Sequence, residues 1–576
     1  MNGSLEVASA LEEAALVHGE GRVRVVRTGC HGICQQGPVV RADPARVLFP
    51  RVAPTDAADV VRRLASSPDG TPLDDAPAGP PALPYDELPF NRRQTRIVLR
   101  NCGMVDPEDL DDALVHGGYA ALRLGLFYMS PEQVIQTVSD AGLRGRGGAG
   151  FPTGTKWRLA RAAAGSPKYF ICNGDEGDPG AFMDRAVLES DPHAVLEGMA
   201  LAAYAVGCSR GYVYVREEYP LAVTRVRHAI EQAEERGLLG EDVMGSGFSF
   251  QVRVKEGAGA FVCGEETALL ASIEGRRGMP RIRPPYPAQS GLWGKPTCVN
   301  NVETLATVPW IVLNGSESYA RIGTEQSRGT KVFALTGAVT TAGLVEVPMG
   351  TTTLRELVEE IGGGVPDGEC KAVQIGGPSG GCIPAELLDT PIAFETLTEA
   401  GAIVGSGGVV VLDQGTCMVD LARFFLEFTQ RESCGKCVPC RIGTKRMLEI
   451  VTRIVEGRGA HGDLELLEGL AGAVKAGSLC GLGQTAPNPV LTSLRYFRQE
   501  YWEHIEEGRC RAGYCKALAT YVVDAELCRG CGACVRVCPV GAISGERKEP
   551  YVIDAERCTR CGACESQCKL AAIVRA

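Results

Sequence analysis

The feature that most constrains this chain is a repeat near its C-terminal end. Residues 521–543 recur as 551–573, and each copy carries C-x2-C-x2-C-x3-C. The cysteines are Cys528, Cys531, Cys534 and Cys538, then Cys558, Cys561, Cys564 and Cys568. Thiolates at this spacing wrap one face of an iron–sulfur cubane, and in such a paired run the last cysteine serves the other cubane. Cys528, Cys531, Cys534 and Cys568 are therefore expected to hold one [4Fe–4S] cluster, and Cys558, Cys561, Cys564 and Cys538 a second. The second copy departs once from the pattern: Lys569 stands where the first has Pro539, which puts a cation beside the cluster pair.

A third C-x2-C-x2-C run, Cys434, Cys437 and Cys440, follows an amphipathic helix predicted over Met418–Arg431 (Val419, Leu421, Phe424, Phe425, Phe428). Cys480, beyond a helix predicted over Asp463–Lys475, is the expected fourth ligand. Zinc also accepts four thiolates, but three so close with a distant fourth favour a third [4Fe–4S] cluster. Twelve of the 24 cysteines are placed in this way. Such clustering reads as a metalloprotein rather than a disulfide scaffold. His504, Cys510 and Cys515 are three zinc-type ligands close in sequence, with Cys417 a spare fourth. A free cysteine pair at a domain junction is a reading of equal weight; a zinc there would hinge the C-terminal arm to the body.

Upstream lies G-L-R-G-R-G-G-A-G-F-P-T-G-T-K-W, Gly142 to Trp157, with Arg144, Arg146, Lys156, Phe151 and Trp157 among its glycines. Glycines let backbone N–H groups approach a ligand, and the cations suit a phosphate. Gly145, Gly147 and Gly150 spell G-x-G-x-x-G, but the preceding Pro131–Gly142 has helical periodicity (Val134, Ile135, Val138, Ala141). An ordinary Rossmann reading needs a strand there, so the stretch is read as a glycine-rich anion cradle. Tyr169–Asn173 reads as a buried strand running into an acidic loop with Asn173, Asp175, Glu176, Asp178 and Asp184. A Ca²⁺ loop, a solvated acidic turn and hydrogen-bond acceptors for ribose and carboxamide groups compete for that loop. The spacing does not fit an EF-hand, and the adjacent cations favour the acceptors. Glu265 and Glu266 open an apolar helix, where acids suit the dipole; Asn300 and Asn301 can read the edge of a flat heterocycle.

These four stretches, in this order, closely resemble the flavin-bearing NADH-oxidising subunit of complex I and its relatives in NAD-linked formate dehydrogenases and electron-bifurcating hydrogenases. The resemblance spans about residues 92–497. It implies an FMN fold that is not Rossmann. Gly145, Arg146, Gly147 and Lys156 would hold the FMN phosphate and ring. Asn173, Asp175, Glu176, Glu265, Asn300, Asn301 and Thr304 would hold the ribityl chain and isoalloxazine edge, with Phe261 where many members carry Tyr. Phe151, Glu176 and Glu266 would bind NADH, Tyr286 would wall the adenine, and Leu159 stands where some members have an aromatic residue. NADH is expected over NADPH, because the acids would repel a 2′-phosphate.

The expected architecture is multidomain, α/β and α+β. Residues 1–65, with a helical patch Leu5–Val17, a strand-like run Arg22–Arg27 and the pair Cys30/Cys34, resemble the second half of a thioredoxin-like [2Fe–2S] module. The first cysteine pair is missing, so this truncated domain reads as a clusterless docking remnant. A Pro/Gly/Asp-rich linker follows at 66–90. Then come a non-Rossmann FMN/NADH-binding α/β domain at 91–325 and a β-grasp insert at 326–412, with a hairpin at 331–347 and a Thr353/Glu356 capping box. A four-helix [4Fe–4S] domain at 413–503, the zinc hinge at 504–520 and a bacterial two-[4Fe–4S] ferredoxin domain at 521–576 complete it.

A net charge of −11 argues against a nucleic-acid partner, no apolar run is long enough to span a membrane, and the polar, acidic Met1–Glu20 is no export signal. The expected compartment is the cytoplasm. The arm, absent from a plain complex I flavin subunit, resembles electron-bifurcating enzymes. It implies a thioredoxin-like [2Fe–2S] subunit, a catalytic iron–sulfur subunit of hydrogenase or other type, and ferredoxin as partners. A non-bifurcating diaphorase subunit and a non-enzymatic iron–sulfur scaffold are the competing classes.

Overall fold

Tyr169–Gly174 is buried along most of its length, the pattern of a strand covered on both faces. It lies inside a four-stranded, all-parallel sheet, between Arg210–Arg216 and Thr297–Asn301, with Gln251–Gly257 outermost. In chain order the sheet reads 3-2-1-4, so its switch point falls between the first and fourth strands. There Asn173 lies opposite Asn301, and Cys172 opposite Asn300. The carboxyl ends of strands flanking a switch point are where open α/β sheets leave room for a ligand.

The computed structural model describes residues 3–66 and 79–575. They form two compact units. The first comprises Met1–Asp367, Val373–Gly377 and Ala385–Val411. The second comprises Gly368–Ala372, Pro378–Pro384 and Leu412–Ala576.

In the first unit the helix Pro192–Val206 is buried almost throughout and packs on Val302–Asn314. Gly198 is required at that contact, since a Cβ would lie 2.0 Å from the Leu305 carbonyl oxygen. At the N-terminal end, Ser4–His18 and Ala57–Ser66 cover a small antiparallel sheet of Val40–Ala42, Val47–Phe49 and Leu83–Pro84. Two expectations change here. Residues 22–27 form no strand. The linker expected at 66–90 is structured at its C-terminal end, where Leu83 pairs with Leu48; residues 67–78 of that linker lie outside the described ones. In the insert, Thr330–Gly337 and Gly343–Pro348 make the expected hairpin, and Gly408–Asp413 returns parallel to the first of them. The Thr353/Glu356 capping box is formed, with Oε2 of Glu356 accepting from the Thr353 N–H and the Thr353 hydroxyl accepting from the Glu356 N–H.

In the second unit four helices, Met418–Arg431, Thr444–Val455, Asp463–Gly477 and Asn488–Glu506, enclose one core that includes Val419, Leu426, Met447, Val451, Leu467, Val474 and Leu494. The amphipathic stretch Met418–Arg431 is a helix with the bounds its periodicity predicts. The C-terminal repeat folds as two short antiparallel pairs, Tyr521–Val523 with Ile573–Arg575 and Ile543–Ser544 with Val552–Ile553. Among the described residues no helix is long and apolar enough to cross a membrane.

Candidate active site and metal centres

The glycine stretch follows the helix Pro131–Ala141 and opens the helix Thr153–Ala162, so no strand precedes it. Its neck is closed by Gly145 N–H to Phe151 O (2.9 Å) and Thr153 N–H to Leu143 O (2.9 Å). Gly147 packs against the switch-point strand, where a Cβ would sit 2.9 Å from Asn301 Cβ. The cradle therefore approaches the carboxyl ends of the first and fourth strands because glycine leaves room for it.

The cations of the cradle are divided between two tasks, which corrects the expectation for Arg146. Its side chain is turned into the core and is 1 % exposed. The guanidinium donates to Thr330 O (2.9 Å), Arg144 O (3.1 Å), Arg328 O (2.6 Å) and the Tyr319 hydroxyl (2.9 Å). These acceptors engage the guanidinium and anchor the loop; only the backbone of Arg146 faces the cradle region, its N–H donating to Thr304 Oγ1 (2.9 Å). Arg144 also braces the loop, bonding Gly150 O (2.7 Å) and covering the Phe394 ring at 3.9 Å. Lys156 is the cation left at the site, with a 28 % exposed side chain. Its Nζ donates to Val299 O (2.8 Å) and Glu266 Oε2 (3.2 Å).

The acids are equally specific. Glu176 accepts from the N–H groups of Asp184 and Arg185 (both 3.0 Å) at the start of the helix Met183–Ser190, and burial pushes its carboxyl up to about 7. Glu265 caps the helix Glu266–Ile273 through Thr267 N–H (2.9 Å) and Ala268 N–H (3.0 Å). Burial alone would raise Glu266, but Lys156 and Arg283 outweigh it and hold the carboxyl below its usual range. Sequence reasoning missed Arg283, 2.9 Å from Glu266 Oε1; the R-x-R before Pro284 was its only signal.

At the strand ends, Asn173 donates to Gly264 O (3.0 Å), and Asn300 accepts from the indole N–H of the buried Trp157 (2.9 Å). Asn301 caps the helix Val302–Asn314 and donates to Asp184 Oδ2 (2.5 Å). Asp175 is buried and 4.0 Å from Arg216. Phe261 lies against Gly177, whose Cβ would be 2.8 Å from its ring. Phe151 and Tyr286 are exposed, at 48 % and 54 %, and Leu159 is exposed as well. Behind these residues a buried ion pair, Lys331 to Glu303 at 2.5 Å, went unseen in the sequence. The buried oxygens with no hydrogen-bond partner include Thr153 Oγ1, at the start of the cradle helix, and Asp184 Oδ1. The Thr153 hydroxyl can donate to a phosphate and Asp184 Oδ1 can accept from a ligand hydroxyl, so the residues present fit a cofactor that carries both groups.

Cys440 lies in the stretch Pro439–Gly443 that leads into Thr444–Val455, and Cys480 immediately precedes the helix Gly481–Thr485. Burial, with Cys437, Cys480 and Cys434 close by, pushes the Cys440 thiol up to about 11. In the arm, Cys538 lines one hollow together with Cys558, Cys561 and Cys564, walled by Ile543 and Ile553, which is the crossed ligand set. Cys538 and Cys568 each accept from a backbone N–H four residues on, at 3.2 and 3.3 Å; such bonds stabilise ligating thiolates.

The spare Cys417 joins His504, Cys510 and Cys515, all buried, with ligand atoms within 4.8 Å of one another. His504 Nε2 is 3.4 Å from Cys417 Sγ and from Cys515 Sγ, and those two sulfurs are 3.6 Å apart. A tetrahedron with Zn–S bonds of about 2.3 Å has edges of about 3.8 Å, so the donor set fits zinc. His504 Nδ1 lies 2.7 Å from Glu500 O, which orients the ring with Nε2 toward the sulfurs.

Cys30 and Cys34 are exposed on a loop held by Gly32 O accepting from Leu344 N–H (2.8 Å). A hydrogen bond from Cys34 draws the Cys30 thiol down to about 6.

A glycine cradle at an α/β switch point, joined in one chain to a four-cysteine helical bundle and an arm with eight cysteines, is the architecture of a cofactor-bearing electron-transfer protein. The family descriptions agree by segment: Nuo51 FMN-binding domain over residues 138–310, NADH-ubiquinone oxidoreductase-F iron-sulfur binding region over 420–504, and 4Fe-4S dicluster domain over 520–572. The chain is 55% identical over 460 residues to the HndC subunit of the NADP-reducing hydrogenase of Solidesulfovibrio fructosivorans, 80% of this chain and 93% of the relative. It is 49% identical to an F-type subunit of the NADH-quinone oxidoreductase of Rhizobium meliloti (strain 1021), over 72% of this chain and 98% of that one. Among solved structures, an NAD+-reducing [NiFe]-hydrogenase in the H2-reduced state matches with TM-score 0.63 and 34% identity, covering 87% of this chain and 82% of that one. This chain belongs to the family of FMN-binding, NADH-oxidising subunits of NADH-quinone oxidoreductases and NAD(P)-reducing hydrogenases.

Proposed function

We propose that the chain is the NADH-oxidising subunit of a multisubunit, electron-bifurcating oxidoreductase that exchanges electrons between NAD(H), ferredoxin and a hydrogenase-type catalytic subunit. The observation that carries this reading is the 4Fe-4S dicluster segment over 520–572, added to segments that match an FMN-binding domain and an NADH-ubiquinone oxidoreductase iron-sulfur region. FMN, when bound, supplies hydride exchange with NADH and one-electron exchange with the clusters.

Lys156 and the cradle backbone at Gly147 would hold the FMN phosphate and ring, while Gly145 and Arg146 set the turn through their own hydrogen bonds. Asn173, Asp175, Glu176, Phe261, Glu265, Asn300, Asn301 and Thr304 would meet the ribityl chain and ring edge. Phe151, Glu176, Glu266 and Tyr286 would take NADH; Glu266, kept ionised by Lys156 and Arg283, disfavours a 2′-phosphate. Three [4Fe–4S] clusters would be held by the cysteine sets named above, and one structural zinc by Cys417, His504, Cys510 and Cys515. The exposed N-terminal module suits docking of a thioredoxin-like [2Fe–2S] subunit. The compartment would be the cytoplasm.

The test is an anaerobic assay of the assembled complex with NAD(H), ferredoxin and the partner's acceptor. NADH turnover is expected to be coupled to a redox change of ferredoxin. Turnover that never couples would leave a plain diaphorase and remove the bifurcating reading.

A further inference from the structure

The two halves of the arm are not held alike. Gly530 and Arg560 occupy the same place in the two repeats, two residues after the first cysteine, and both have a left-handed backbone, φ 60° and 57°. Glycine takes that conformation freely, whereas arginine does so only where its surroundings compensate. At position 530 a side chain is excluded: a Cβ there would come within 2.5 Å of the Lys548 and Glu549 nitrogens. At position 560 the side chain has a task. Its Nη1 donates to Gly508 O (3.4 Å) and Ala517 O (3.1 Å), which bracket the loop carrying Cys510 and Cys515. Its backbone N–H donates to Cys558 Sγ (3.4 Å). One residue thus touches a cluster cysteine and both ends of the Cys510–Cys515 loop. The covalent joint beside it has no slack, because Leu518 packs in the helical core and its neighbour Ala519 in the core of the arm.

We propose that Arg560 is a strap that fixes the arm against the Cys510–Cys515 loop, making the cluster of Cys558, Cys561, Cys564 and Cys538 the inner one and that of Cys528, Cys531, Cys534 and Cys568 the outer. The proposal rests on the iron–sulfur reading of the arm. The outer cluster then carries the exposed Arg529 and Lys569 beside its ligands Cys528 and Cys568. That charge suits docking of an acidic one-electron carrier, steering its approach. Arg560 acts through the loop it holds and is a positioning residue.

The test is R560G in the full-length chain. Glycine is what the first repeat carries at the same φ, so the turn itself is retained. Amide exchange over 508–519 and 556–562 is expected to speed up about tenfold, the loss of roughly one charge-assisted hydrogen bond, while 526–532 stays unchanged. R560K should recover part of the protection. With NADH as reductant, the EPR signals of the arm clusters should form about tenfold more slowly in R560G, while the flavin bleaches at the wild-type rate. Unchanged exchange with unchanged EPR kinetics overturns the strap, and so does an equal loss of protection in both repeats. A wild-type chain without iron in its arm would instead sink the cluster reading, and that is seen before any variant is compared.

Discussion

Replacing Arg146 with methionine tests whether the cradle's central cation is a brace or a ligand. The side chain is fully enclosed and donates to three carbonyls and one hydroxyl. Hydrogen bonds from a charged donor are worth roughly 1.5–3 kcal/mol each, so a simple sum gives about 6–12 kcal/mol. Neighbouring bonds are not additive, water enters part of the space, and single substitutions seldom exceed about 5 kcal/mol. A loss of about 4 kcal/mol is therefore expected, or about a thousandfold in local exchange protection over residues 142–153. The assay pairs hydrogen exchange of R146M with its FMN affinity, beside K156A as the control for a cation at the site. R146M should lose protection throughout the loop, whereas K156A should weaken FMN binding with protection nearly intact. An R146M chain that keeps wild-type protection and loses only FMN affinity would refute the assignment.

Other outcomes follow from the same geometry. C417S should release the zinc while leaving iron content unchanged, read by elemental analysis; retained zinc would place the fourth ligand elsewhere. C561S should remove one arm cluster from the EPR spectrum and spare NADH-dependent reduction of an artificial acceptor, because the cradle residues and the arm's cysteines belong to different compact units. Burial pushes the Glu197 carboxyl up to about 7, against about 4.3 in an unfolded chain. The unfolded state therefore releases this proton first as pH rises. The residue's contribution is full below about pH 4 and drains away up to about pH 7, a swing of up to about 4 kcal/mol. E197Q should flatten that slope when urea midpoints are compared at the two ends of the window; an unchanged slope would show that other groups set it.

Local pattern was legible wherever neighbours in sequence are neighbours in space. The helices Pro131–Ala141 and Met418–Arg431, the hairpin after Thr330 and the grouping of Cys538 with Cys558, Cys561 and Cys564 all follow from periodicity or spacing. What stayed hidden depends on long-range pairing. The composition of the cradle shows that cations are present, but the acceptors that turn Arg146 inward, Thr330 O and Arg328 O, belong to a distant segment. The strand Leu83–Pro84 sits in a run whose prolines read as a linker, and it exists because Leu48 offers it a partner. Cys417 was visible only as a spare thiol, until the packing of Met418–Arg431 on Asn488–Glu506 carried it to His504. The 3-2-1-4 strand order that places Asn173 opposite Asn301 has no local signature.

The most direct test of the central claim is an anaerobic NADH titration of the full chain, reconstituted with FMN and iron–sulfide, followed in the visible spectrum. The account predicts that the yellow flavin band bleaches and that cluster absorbance then declines as electrons pass on. An iron-loaded chain that binds no flavin, or whose flavin stays oxidised under excess NADH, would contradict it.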